Sequence, residues 1–232
     1  MNDFIDINDI NTYPMEFQKF CKDKVDILKN TITAKFSLDY DTFLAQKLVD
    51  IIKQYKIIGI HATRVYDIEN IYKKGLLIPS KSTDLIDIIL KPICTKIDKE
   101  EFDNIRKKLI QQISINDKYS RLYFVVGSID DITIEKGFWV LNKYGGELLE
   151  DIFTDLKLKD FYFKNIALIG ETYAIKFKVN INDLNKDFLM ELIAFMLKKI
   201  ILLNAEHIFK ESYILKNIKA RDIIKAEKVV IL

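Results

Sequence analysis

The chain has 232 residues, 49% of them hydrophobic and 30% charged. That is enough apolar material for one domain, or one domain with an added subdomain, and it excludes a disordered or collagen-like chain. Thirty-six basic residues against 34 acidic ones leave a formal charge of +2, which excludes a broadly basic coat for nucleic acid while allowing a local patch.

The two cysteines, Cys21 and Cys94, and the two histidines, His61 and His207, are too few for a disulfide framework or for a four-ligand or histidine-rich zinc site, so no metal is expected. The opening MNDFIDINDI is acidic and lacks the basic head and apolar run of a signal peptide. The longest apolar stretch, Met190 to Leu203, is broken by Glu191, Lys198 and Lys199 and is too short to span a bilayer. A cytoplasmic protein with no membrane partner is therefore expected. Ile, Lys, Asn and Asp are abundant while arginine occurs only at Arg64, Arg106, Arg121 and Arg221. That bias fits AT-rich codons, so lysine-rich stretches say little and each arginine says more.

Along the chain, Phe17, Phe20, Cys21, Val25 and Leu28 recur at helical spacing and predict an amphipathic helix over 14–30. Phe43, Leu44, Leu48, Ile51 and Ile52 predict a second over 40–54. Lys56 to Ala62, β-branched and without helical period, predicts a buried strand. A short helix over 67–74 follows, capped by Asp67 and stopped by Gly75. Residues 81–115 are expected to be helical with a break near Pro92. Arg121 to Val126 predicts a strand. Four of the seven glycines, Gly127, Gly137, Gly145 and Gly146, then fall within 20 residues, before a helix from about Gly146 to Phe153. Strands are expected at 165–169 and 172–179 about Gly170, a long apolar helix over 186–203, and final strands at 212–215 and 228–232 with a turn or short helix at 220–224. The pattern is α+β. No G-x-G-x-x-G or G-x-x-x-x-G-K-[ST] occurs, so the Rossmann and P-loop signatures are missing.

Four places could carry chemistry. In IIGIHATRVYDIENIYKKGLL, residues 57–77, His61 ends the predicted strand and can offer one ring nitrogen to a ligand while the backbone holds the other. Thr63 adds a hydroxyl and Arg64 a planar cation suited to phosphate. The plainer alternative is a histidine bonded to a nearby carbonyl, with Arg64 on the surface. Tyr123 and Phe124 form an aromatic pair on the next strand; core packing is the plain reading. Phe138-Trp139 through Lys143-Tyr144-Gly145-Gly146-Glu147 bring the only tryptophan, a tyrosine and paired glycines to a carboxylate. An acidic residue at a helix start is the plain reading there. Glu211 precedes a late strand, and Glu171 is a third carboxylate to weigh.

The first segment resembles the first motif of the ADP-ribosyltransferase superfamily, which includes the poly(ADP-ribose) polymerases and the RNA 2′-phosphotransferases. His61, Ala62, Thr63, Ile71, Gly75 and Leu76 match it position by position. Arg121-Leu122-Tyr123-Phe124 resembles the family's Gly-Ile-Tyr-Phe strand, with its leading glycine absent and a long gap from His61. HxTR with GL, and YGGE at 144–147, resemble a bacterial branch of that superfamily.

The resemblance implies a split mixed or antiparallel β-sheet core over residues 56–232, preceded by an N-terminal helical region, 1–55, and carrying a helical insertion at about 80–118. It implies that His61, Ala62, Thr63, Arg64, Tyr123 and Tyr144 hold NAD as substrate. In the family the backbone beside the histidine grips the nicotinamide amide, the histidine bonds the adenosine ribose, and the tyrosine stacks on nicotinamide. Glu211 by fold order, or Glu147 by its local sequence, is the implied catalytic carboxylate, acting with His61. The implied activity is mono-ADP-ribosylation of a protein or nucleic-acid acceptor by a toxin or phage-defence effector, with an antitoxin or other protein as a further partner. The alternative is a non-catalytic module on the same fold that binds a nucleotide, RNA or a partner.

Overall fold

Period-two apolar runs and helical apolar stripes alternate along this chain, and the computed structural model turns them into strands of one sheet and a series of helices. It describes residues 3–28, 43–128, 147–165, 169–201, 208 and 210–229. The fold is α+β, with a mixed sheet. Strands β1 (Phe4–Ile5), β2 (Lys56–Val65), β3 (Leu122–Val126), β4 (Glu171–Asn180), β5 (Lys210–Ile214) and β6 (Ile223–Lys228) give the order β5-β3-β2-β4-β6, with β1 joined to β2. β1 runs parallel to β2, Phe4 opposite Lys56 and Ile5 opposite Ile57. β4 and β6 are antiparallel, Tyr173 opposite Lys228 and Ile175 opposite Ala226, with a register shift at Lys176/Phe177.

The described residues fall into two compact units, and β2, β3 and β4 each contribute to both. The first unit comprises residues 1–59, 124–128 and 178–214. Its helices are α1 (Met15–Asp23) and α2 (Phe43–Ile52) and, later in the chain, Lys186–Ile201. The predicted helix over 14–30 is interrupted at Lys24 and resumes at 25–28. Phe17 and Cys21 of α1 are buried, as are Leu48, Ile51 and Ile52 of α2 and Phe188, Leu192, Ile193, Met196 and Leu197 of the late helix. Burial pushes the Cys21 thiol up to about 12, so this cysteine is an inert core group. Phe188 meets Phe124 edge-on, with ring centroids 6.0 Å apart.

The second unit comprises residues 60–123, 129–177 and 215–232. It holds α3 (Ile68–Lys74), α4 (Thr83–Leu90), α5 (Lys99–Ile115), α6 (Glu147–Asp155) and α7 (Lys159–Asn165); the late helix of the first unit is α8 hereafter. The helical stretch between β2 and β3 has its own core. Ile86 and Leu90 of α4, Ile105, Leu109 and Ile113 of α5, and Tyr119 bury together with Phe153 of α6 and Tyr162 of α7. Arg106 Nε and Nη2 donate to the two carboxylate oxygens of Asp87 at 2.6 and 3.2 Å, tying α5 to α4. Asp98 caps α5 by accepting from Glu101 N at 2.8 Å.

Three local expectations are corrected. β2 does not stop at Ala62 but continues to Val65, because Thr63 and Val65 sustain the β-branched run. Asn165 ends helix α7 rather than opening a strand; the consecutive aromatics Phe161, Tyr162 and Phe163 carry no period that would have revealed this helix. The last described strand is Ile223–Lys228, earlier than expected; of the expected 228–232, Val229 is outside the strand and 230–232 lie outside the described residues. The expected short turn is a 3₁₀ helix at Ala220–Asp222.

Candidate functional site

β2 carries the histidine motif, and its burial changes along its length. Ile57, Ile58, Gly59, Ile60 and Ala62 are buried, whereas His61, Thr63, Arg64 and Val65 are half-buried. Side chains alternate across a strand, so His61 and Thr63 share one face and Ala62 and Arg64 the other.

His61 is held by one decisive bond. Its Nδ1 lies 2.8 Å from the backbone oxygen of Tyr123, 62 residues away in sequence. A carbonyl can only accept, so Nδ1 carries the hydrogen and donates it, and Nε2 keeps its lone pair. Burial pulls the His61 pKa below its ordinary value; the hydrogen bond to Tyr123 pulls it up, and burial is the larger effect. The ring is therefore neutral at pH 7 and oriented from behind. Tyr123 itself is half-exposed in a strand whose other residues, Leu122, Phe124, Val125 and Val126, are buried. An exposed tyrosine ring on a buried strand is not core packing.

Arg64 reaches back into the fold. Its Nη1 donates to the Gly170 carbonyl at 2.6 Å. Its charge is also felt by the buried phenol of Tyr162, whose pKa is raised by burial, with Arg64 opposing. Gly170 has φ +86° and packs so closely on β2 that a Cβ there would sit 2.2 Å from the Val65 oxygen. Gly75 plays a matching part beyond α3. With φ +83°, it closes the helix, and a Cβ would lie 1.9 Å from the Ile218 oxygen. Leu76 and Ile218 exchange backbone hydrogen bonds of 3.0 and 2.9 Å, and Ile78 N donates to Asn217 Oδ1 at 2.7 Å. The Gly-Leu of the motif thus docks the chain after α3 onto residues 217–218.

The carboxylates differ in setting. Glu171, at the start of β4, accepts from Lys228 Nζ and, at 3.0 Å, from the Tyr173 hydroxyl. These bonds hold its carboxyl below the usual range, Lys228 having the largest effect, and make it a surface ion-pair residue. Glu211 lies exposed on β5, an end strand of the sheet order. Glu147 begins α6. Tyr144, with Phe138, Trp139, Gly145 and Gly146, lies outside the described residues.

The structure thus brings His61 against Tyr123 of the adjacent strand, leaves Thr63 on the His61 face of β2, and turns Arg64 toward Gly170. The sequence points to a backbone partner for His61, as both of its readings have it, but not to Tyr123 as that partner, and it misses the Gly170 carbonyl that holds Arg64, because a carbonyl leaves no mark in a residue pattern. Among the described residues no three His, Cys, Asp or Glu side chains stand together so as to hold a metal ion, and no helix is long and apolar enough to cross a membrane. In comparisons with family models, curated proteins and solved structures, the chain matches none.

Proposed function

We propose that this protein is an NAD-dependent mono-ADP-ribosyltransferase acting on a protein or nucleic-acid acceptor. The observation that carries the reading is the bond between His61 and the Tyr123 backbone. The two segments that separately resemble the superfamily's histidine and tyrosine motifs meet there, across 62 residues of intervening sequence.

Bound NAD would supply a ribose whose bond to nicotinamide breaks through an oxocarbenium-like transition state as the leaving group departs neutral. The chain's own groups suit the other tasks. Neutral His61 offers Nε2 as an acceptor for a ribose hydroxyl. Thr63 adds a hydroxyl on the same face. The half-exposed Tyr123 ring offers a flat surface for a stacked heterocycle. A carboxylate, Glu211 or Glu147, would stabilise developing positive charge and orient the acceptor.

The test is nicotinamide release from NAD, with labelled NAD and candidate acceptors alongside. Glu211→Gln or Glu147→Gln should lower the rate on the order of 100- to 1000-fold, whichever residue serves. Absence of release, of labelled product and of thermal stabilisation by NAD would overturn the proposal. The exposure of Glu211 gives a second reading some support: a module that binds a nucleotide, RNA or a partner without turnover. Stabilisation by RNA with no response to NAD would select it.

A further inference from the structure

Glu211 sits on a strand of five residues at one end of the sheet order, next to β3, its one neighbour among the described strands. The groups of an end strand that its sheet neighbour does not use can be held by another part of the chain, and so can the segment leading into it. Within the first unit that part is Asn8. Its Nδ2 donates to the Ile208 carbonyl at 3.3 Å, and its Oδ1 accepts from Ile208 N at 3.1 Å. A carboxamide presents a donor and an acceptor side by side, as a neighbouring peptide does. Asn8 therefore stands in for a strand partner three positions before Glu211.

The rest of Asn8 is fixed as well. Its backbone N–H donates to Asp6 Oδ1 at 3.0 Å, and its carbonyl accepts from Lys199 Nζ of α8 at 2.9 Å. Asp6 is held in turn, its own N–H donating to Thr12 Oγ1 at 2.9 Å. An asparagine in an ordinary surface loop would leave its amide to water; this one is bonded through backbone and side chain alike.

We propose that Asn8 is a positioning residue for Glu211, setting the entry to β5 through its paired bonds to Ile208. This rests on the ADP-ribosyltransferase reading with Glu211 as the working carboxylate.

The experiment uses the full chain with Asn8→Ala and the isosteric Asn8→Asp, which keeps the acceptor and removes the donor. Amide exchange at Ile208 and at Ser212 to Ile214 should quicken about 30-fold in Asn8→Ala, since a lost pair of hydrogen bonds of about 1 kcal/mol each lowers local protection by about 2 kcal/mol. Exchange at Ile175 and Phe177 of β4 should not change. The kcat for nicotinamide release should fall roughly 10- to 100-fold, as misplacement of a catalytic group does, while the KM for NAD stays within about 2-fold because uniform binding is untouched. Should Asn8→Ala fail to fold, Asn8→Asp carries the same measurements. Unchanged exchange at 208–214, or an active wild type whose variants keep full kcat, would overturn the positioning role alone. A wild type that releases no nicotinamide would overturn the enzymatic reading, and this role with it.

Discussion

The imidazole of His61 donates its Nδ1 hydrogen to the backbone of Tyr123 at 2.8 Å, so one strand sets the tautomer of a residue on the next. Two titration consequences follow. Imidazole shifts in an NMR titration should show His61 as the Nδ1–H tautomer, with a pKa below the ordinary 6.5. Because the folded state then binds fewer protons than the unfolded one, His61's contribution to stability is complete above pH 6.5 and declines as the pH falls below that value. His61→Gln should flatten this decline; a variant with the wild-type slope would contradict the assignment.

Tyr123 is 50% exposed, so its ring does not fill the core. Tyr123→Ala should leave the melting temperature nearly unchanged yet weaken NAD binding roughly 3- to 10-fold, the equivalent of about 0.5–1.5 kcal/mol of ring stacking. Tyr123→Phe should keep the affinity. Calorimetric titration of the three proteins checks this, and equal affinities would remove the ring from the site.

Arg64 is expected to matter for stability more than for affinity. Arg64→Met keeps the aliphatic stem but removes the donor to Gly170, and should cost about 1.5–3 kcal/mol, the range for a hydrogen bond from a charged group. Denaturant unfolding measures it. If stability holds while the KM for NAD rises sharply, Arg64 is instead a phosphate ligand.

Gly75 should tolerate no side chain. Gly75→Ala forces a Cβ to within 1.9 Å of the Ile218 oxygen at φ +83°. The left-handed backbone alone costs roughly 1–2 kcal/mol, and the Leu76–Ile218 bonds must also shift. A loss of at least about 2 kcal/mol, or roughly 4–8 °C in Tm for a chain of this size, is expected. A melting scan decides it. An unchanged Tm would mean that residues 75–78 are not docked on 217–218 in solution.

Much of the fold can be read from local patterns. The stripes through Phe17 and Cys21 and through Leu48, Ile51 and Ile52 correspond to buried helix faces. Asp67 accepts from Glu69 N at 3.0 Å at the start of α3, and Gly75 stops that helix, as their residue types foretell. The helix at Lys159–Asn165 and the placement of β6 are less legible. Each depends on an aromatic core or a partner strand supplied from elsewhere in the chain.

His61, Thr63 and Tyr123 could be picked out as residue types suited to a ligand, since side-chain chemistry and period-two spacing are written in the sequence itself. That Tyr123 would lend its carbonyl to His61, that Arg64 would turn to Gly170, and that Glu171 would be absorbed by Lys228 and Tyr173 were decided by tertiary structure. Local periodicity reports which face of an element is apolar. It carries no information about which backbone oxygen, tens of residues away, the folded sheet will bring within hydrogen-bonding reach.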